Sequence, residues 1–209
     1  MTTVAKLRLG AWGLTVLVAI TAIVAWGQAN RWQVAHISSY NLFPIFGLLA
    51  FSIMWSHYIA AAGRQYFGVA KEQLKSYFEI TSLVVLGCIL LHPGLLIWQL
   101  FRDGFGLPPG SYLHNYVAPS LGWAALLGTL SFGIFLAYEF RRVYSTKRWW
   151  RFVQYASDLA MGLIFIHALA LGRQLRPGWF RVVWWMYGVS LLAALAYLYA
   201  TKKSKENTL

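Results

Sequence analysis

The stretch YFEITSLVVLGCILLHPGLLIWQLF, residues 77 to 101, decides the fold. It runs for 25 residues with one carboxylate, Glu79, and one imidazole, His92. A helix rises about 1.5 Å per residue, so about 20 apolar residues cross the ~30 Å hydrocarbon core of a bilayer. The stretch therefore reads as a membrane span. Working outward, five more segments meet the same criterion, near 10–27, 41–62, 118–140, 150–172 and 179–200. Turn chemistry separates them, as in the cluster Gly104, Gly106, Pro108, Pro109, Gly110 and the pair Pro177–Gly178 before the last span. The expected fold is an all-α integral membrane bundle of six transmembrane helices. It forms one transmembrane domain over 1–209, with 201–209 as a basic tail.

Composition points the same way. The chain is 59% hydrophobic and only 11% charged, with a mean hydropathy of +0.54, well outside the range of soluble domains. Its 11 Trp and 12 Tyr fall largely where apolar runs meet polar loops, as headgroup-level anchors do. A net charge of +12 would suit nucleic acid, but the Lys and Arg are parcelled between apolar runs and form no stripe, so no nucleic-acid partner is expected. The single cysteine, Cys88, supports neither a disulfide framework nor a thiolate metal site. The basic, apolar start resembles a signal peptide, but the run is long and no small-x-small site follows, so a retained first helix is expected. No dinucleotide fingerprint, internal repeat or soluble domain is read.

Charge sets an orientation. Assigning Lys and Arg to alternate sides of six spans puts 13 on one side, from Lys6 and Arg8 to Lys202, Lys203 and Lys205. Five fall on the other: Arg31, Arg102, Arg173, Arg176 and Arg181. The positive-inside rule then predicts a multi-pass cell-membrane protein with both termini cytoplasmic, and spans three and five run outward.

Ionisable residues within spans are costly and mark functional candidates: His57, Glu79, His92, Asp158 and His167, with Glu139 at an inner end. His92 lies about 15 residues into span three and His167 about 17 into span five, so both reach similar depths in the outer half. Two neutral imidazoles at one depth on facing helices suit the two axial positions of a heme iron, which favours electron transfer over oxygen binding. Room for a porphyrin would come from Gly87 and Cys88 near His92, and from Ala156, Ala160 and Gly162 near His167. Pro93 frees the carbonyl of Ile89 and predicts a kink beside the site. Hydrogen bonding to a neighbouring span accounts for the same two histidines without any metal.

Two segments carry a family resemblance. RWWRFVQYASDLAMGLIFIH, 148 to 167, and LGCILLHPGLLIW, 86 to 98, resemble the matching parts of spans five and three in ferric-reductase-like transmembrane domains. That superfamily includes NADPH oxidases, STEAP metalloreductases and the heme membrane subunit of bacterial methionine sulfoxide reductase. The resemblance covers 40 to 200 in helix order and loop charge, and it implies that His92 and His167 are the axial ligands of an outer b-type heme. Two-heme members carry a second histidine pair one span depth further in. Counting back thirteen residues lands on Glu79 and Gln154, and fourteen on Phe78 and Val153, so neither count finds an inner histidine and one heme is expected. Single-heme members place a flavin near the vacant level.

His57, Gln154, Asp158 and Glu79 fall in the inner half, where they are candidates for an FMN or FAD ring, a quinone headgroup or a proton-exchange site. Glu79 has a plainer role available in the first turn of span three, favoured by the helix dipole, and Asp158 needs a partner wherever it is buried. On the outer side Arg102, His114, Arg173 and Arg176 surround the mouth. Arg102 and Arg173 are candidate propionate contacts, although solvated loop charge explains them too. His36 and His114 could hold a surface metal only weakly, being isolated. The basic patch RRVYSTKRWWR, 141 to 151, suits anionic lipid or a cytoplasmic partner, though topology alone accounts for it.

The sequence thus predicts a membrane b-type cytochrome, a ferric-reductase-like oxidoreductase subunit. It would pass electrons singly from a cytoplasmic flavoprotein, bound flavin or quinol to an outer-face redox partner. A degenerate structural or assembly subunit, with or without heme, is the alternative. A non-redox channel or transporter is a third reading, against which the lack of broken helix pairs counts.

Overall fold

The computed structural model describes residues 1–33, 37–111, 117–140, 144 and 146–206, with 203–206 described by backbone alone. Six long helices carry the fold: α1 (Thr3–Ala29), α2 (Ser39–Tyr66), α3 (Lys75–Arg102), α4 (Gly122–Glu139), α5 (Trp150–Leu171) and α6 (Trp179–Glu206). Short 3₁₀ turns at Lys71–Leu74 and Pro119–Leu121 lead into α3 and α4, and a third, Arg173–Leu175, precedes α6. There is no strand among the described residues. All six helices are long and apolar enough to cross a membrane, so the chain is a multi-pass membrane protein. Helices are the form an isolated span must take, because they satisfy every backbone N–H and C=O internally where no water can.

The helices outrun the segments set by hydropathy. α1 begins at Thr3 rather than near 10, capped by the Thr2 hydroxyl accepting from the Ala5 N–H. α6 continues to Glu206, so the basic tail expected from 201 is helical over most of its length. Hydropathy measures only the apolar part of a helix, whereas backbone bonding continues through residues such as Lys6 and Arg8 into the headgroup zone. α3 remains helical through Pro93.

α2 is the central helix. Residues 50–56 are buried without interruption, which fits a helix apolar on all sides. The main core gathers Phe51, Met54 and Trp55 of α2 with Val18 and Ala22 of α1, Val85 and Cys88 of α3, Met161 of α5, and Trp184, Tyr187 and Leu191 of α6. On α1 the inward stripe contains Ala11, Ala22 and Ala25, while Val16, Leu17, Ile20 and Ile23 face outward. Both faces are apolar, so hydropathy does not distinguish the packed one, as expected where lipid replaces water.

A hydroxyl triangle joins α1, α2 and α3. Thr15 Oγ1 lies 2.9 Å from Ser56 Oγ and 2.8 Å from the Tyr77 hydroxyl, which is 3.1 Å from Ser56. Thr15 donates to the Ala11 carbonyl and Ser56 to that of Ile53, so the Tyr77 hydroxyl is the one donor left and its single proton is offered to either Thr15 or Ser56.

The close helix pairs are α2 with α3, α4 with α5, α1 with α2 and α2 with α6. α3 and α5, by contrast, are not closely paired. The chain thus contains two helix hairpins, α2–α3 and α4–α5, and its histidine-bearing helices α3 and α5 belong to different ones. Gln65 meets Thr201 at one end of the bundle, while Arg173 meets Asn30 and Trp179 meets Gln28 at the other. Both termini therefore lie at the first end.

Candidate functional site: a histidine pair between two hairpins

His92 and His167 are each the eighteenth residue of their helices, counted from Lys75 and Trp150. The structure brings them together: their ring centres are 6.4 Å apart, and the ring planes cross at 83°. Their surroundings match. His92 Nδ1 lies 2.9 Å from the Phe43 carbonyl on α2, and His167 Nδ1 lies 2.7 Å from the Ala124 carbonyl on α4. A carbonyl only accepts, so both Nδ1 atoms carry the proton and each neutral ring presents a bare Nε2 lone pair. Neither Nε2 has a hydrogen-bond partner among the described residues. Hydrogen-bonding one ring nitrogen to fix the tautomer is how proteins prepare the other as a metal ligand.

The spacing fits such a use. Two imidazoles bound through nitrogen to opposite sides of one metal ion, at about 2.0–2.1 Å per bond, hold their ring centres about 6.3 Å apart. Among the described residues no group of three or more His, Cys, Asp and Glu gathers, so this pair offers two protein donors. Gly87 and Gly162, each five residues before its histidine, border open space. Cys88 and Ala160, expected to make room, do not: Cys88 is packed in the core, and Ala160 is fully buried, with the Ser131 hydroxyl of α4 donating to its carbonyl at 3.3 Å.

Each ring also rests on a glycine. A Cβ at Gly47 of α2 would meet His92 Cε1 and Nδ1 at 2.8 Å, and one at Gly128 of α4 would meet the same atoms of His167 at 2.6 and 2.7 Å. These two glycines and the carbonyls of Phe43 and Ala124 are absent from the sequence reading. The only signal for the glycines is their position inside apolar spans, and with 18 glycines in the chain that selects nothing.

His57, Asp158, Glu79 and Gln154, expected to share a level, do not gather into one site. His57 points to α3, where its Nε2 lies 2.6 Å from Thr81 Oγ1; that hydroxyl donates to the Tyr77 carbonyl, so His57 is the donor to Thr81. Asp158 turns toward α2 and α6, accepting from the Tyr58 hydroxyl at 2.8 Å and from the Tyr199 hydroxyl. Glu79 is exposed and pairs with Lys75 one turn earlier at 3.9 Å, while Gln154 is exposed on α5. Depth was legible, but rotation about each helix axis separates these groups.

On the opposite rim Arg102 and Arg176 are exposed, and Arg173 donates to the Asn30 side chain at 2.5 Å, fastening the α5–α6 turn to the end of α1. Asp103 beside Arg102 accepts from Tyr40 and Gln99, at 2.6 and 3.0 Å. His36 and His114 lie outside the described residues, as do Arg141, Arg142, Val143 and Ser145 of the basic patch. Comparison with known proteins gives no match among family models, curated proteins or solved structures.

Proposed function

We propose that this chain is a membrane electron-transfer subunit that holds one b-type heme between His92 and His167. The observation that carries the reading is the 6.4 Å separation of two imidazoles whose Nδ1 protons are both committed to backbone carbonyls. A metal ion relying on protein ligands alone would have two donors here, short of the four that structural zinc takes. An iron already held by a porphyrin needs two more. A heme with both axial positions filled supplies one-electron exchange rather than oxygen binding.

The chain's own residues hold and orient. Phe43 and Ala124 fix the tautomer through their carbonyls, and both rings are half-buried in the bundle. Arg102, exposed at the near rim, is suited to an anionic propionate or acceptor. The 13-to-5 division of cationic residues supports placing the termini in the cytoplasm and the histidine pair in the outer half of the cell membrane. The donor is then a quinol, a flavin or a cytoplasmic flavoprotein on the basic side, and the acceptor lies outside. The likeness of residues 86–98 and 148–167 to ferric-reductase-like domains supports the same direction.

The test uses purified protein expressed with ample heme and mixed anaerobically with menadiol or reduced FMN. Development of a reduced b-type spectrum in the wild type, and its absence in the His92→Ala/His167→Ala variant, is expected. A colourless wild type would sink the reading.

A structural or assembly subunit is the second reading, favoured by one observation: each histidine already bonds a neighbouring helix, as interhelical glue does. On that reading, loss of both histidines weakens the bundle and no heme is found.

A further inference from the structure

The surroundings of the two histidines are equivalent to within a few tenths of an ångström. In each hairpin the carbonyl that accepts from Nδ1 sits four residues before the glycine that backs the ring, Phe43 before Gly47 and Ala124 before Gly128. These are successive positions on one face of α2 and of α4, one turn apart. The approach is equivalent too: a Cβ would meet Cε1 and Nδ1 at 2.6–2.8 Å and Nε2 at 3.3 Å in both cases. The Nδ1–Cε1 edge of each ring is thus pressed onto bare helix backbone, with Nε2 turned further from it.

We infer that Gly47 and Gly128 are paired positioning residues, which set the plane of each axial imidazole and so build the crossed-ring geometry of the metal site. A Cβ below 3.0 Å from ring atoms forces the ring to move. The ring is caught between helix backbone behind it and a carbonyl bond that fixes its edge, so the available motion is rotation about its own side-chain torsions. Rotation breaks the Nδ1–carbonyl bond and releases the tautomer. The 83° crossing is the angle between two rings that are each held in this way.

The inference rests on the proposed heme reading and deepens it, and ring crossing has a readout independent of turnover. Crossed axial imidazoles leave the two iron orbitals that carry the unpaired electron nearly degenerate. Ferric low-spin iron then gives a strongly anisotropic electron paramagnetic resonance signal with an unusually large principal g value, whereas parallel rings give a rhombic one. Gly13 on α1 and Gly133 on α4, which the heme reading does not use, border open space and serve as controls.

The experiment records low-temperature spectra and heme per chain for oxidised wild type, Gly47→Ala, Gly128→Ala, Gly13→Ala and Gly133→Ala. Each is taken from its monodisperse size-exclusion peak. The expected result is the strongly anisotropic signal in wild type and both controls. In Gly47→Ala and Gly128→Ala the signal becomes rhombic or high-spin, and heme affinity falls by about 10-fold or more, the scale on which lost outer-shell support acts. Wild type without heme would overturn the underlying reading. Wild type with low-spin heme, but with glycine variants indistinguishable from it, would overturn this inference alone. Loss of the monodisperse peak in both Gly47→Ala and Gly128→Ala would make these glycines packing residues and overturn it too.

Discussion

Tyr58 donates its phenolic proton to Asp158 across 2.8 Å and so ties α2 to α5. Tyr199 reaches the same carboxylate from α6 through its other oxygen, making Asp158 the junction of three helices. Interhelical hydrogen bonds in membranes contribute about 0.6 kcal/mol on average and up to about 2. Tyr58→Phe is expected to lower unfolding stability by that amount in an SDS titration from mixed micelles, with the heme spectrum unchanged. A displaced spectrum would instead place Asp158 in the redox site.

The Thr15–Ser56–Tyr77 triangle is a different kind of junction, since Thr15 and Ser56 compete for the one Tyr77 proton. Removing one member leaves the others short of a partner, so Thr15→Val and Tyr77→Phe should each cost about 1 kcal/mol and their double variant distinctly less than the sum. The same SDS titration, run as a double-mutant cycle, measures this. Strict additivity would show that the triangle is not a unit.

Glu79 gives a negative prediction. Its pairing with Lys75 is exposed and long at 3.9 Å, with side-chain exposures of 53% and 70%, and such pairs contribute about 0–1 kcal/mol. Glu79→Gln should leave stability within about 0.5 kcal/mol and the reduction rate by menadiol unchanged. A large loss of rate would return Glu79 to the inner site.

His57 and His92 lie on adjacent helices but differ in what their rings do. His57 donates through Nε2 to Thr81, so the nitrogen that His92 keeps bare is already spent. His57→Ala should therefore keep full heme content and a low-spin spectrum while losing about 1 kcal/mol of stability. Loss of heme in His57→Ala would contradict that division.

Span number was legible because crossing a bilayer imposes a length and a composition that no soluble helix needs. Equal depth for His92 and His167 was legible because helix rise is constant. Rotation was not, and it decides partners: His57 and Tyr58 are neighbours in sequence yet bind α3 and α5 respectively. Hydropathy cannot supply that angle when both faces of a helix are apolar, as on α1. The matched half-sites escaped for a related reason. FPIFG at 43–47 and AALLG at 124–128 share only their final glycine, and their histidines follow at different intervals, so the likeness lies in backbone approach. Arg173 shows the limit of charge reading, since its place at the rim was legible and its bond to Asn30 was not.

The most direct test of the central claim is heme per chain, measured by extraction and by the pyridine-complex spectrum, in wild type, His92→Ala and His167→Ala purified after expression with ample heme. One heme per wild-type chain, with a low-spin b-type spectrum lost in both single variants, is the predicted result. No heme in the wild type, or a low-spin spectrum that survives in either variant, would contradict the account.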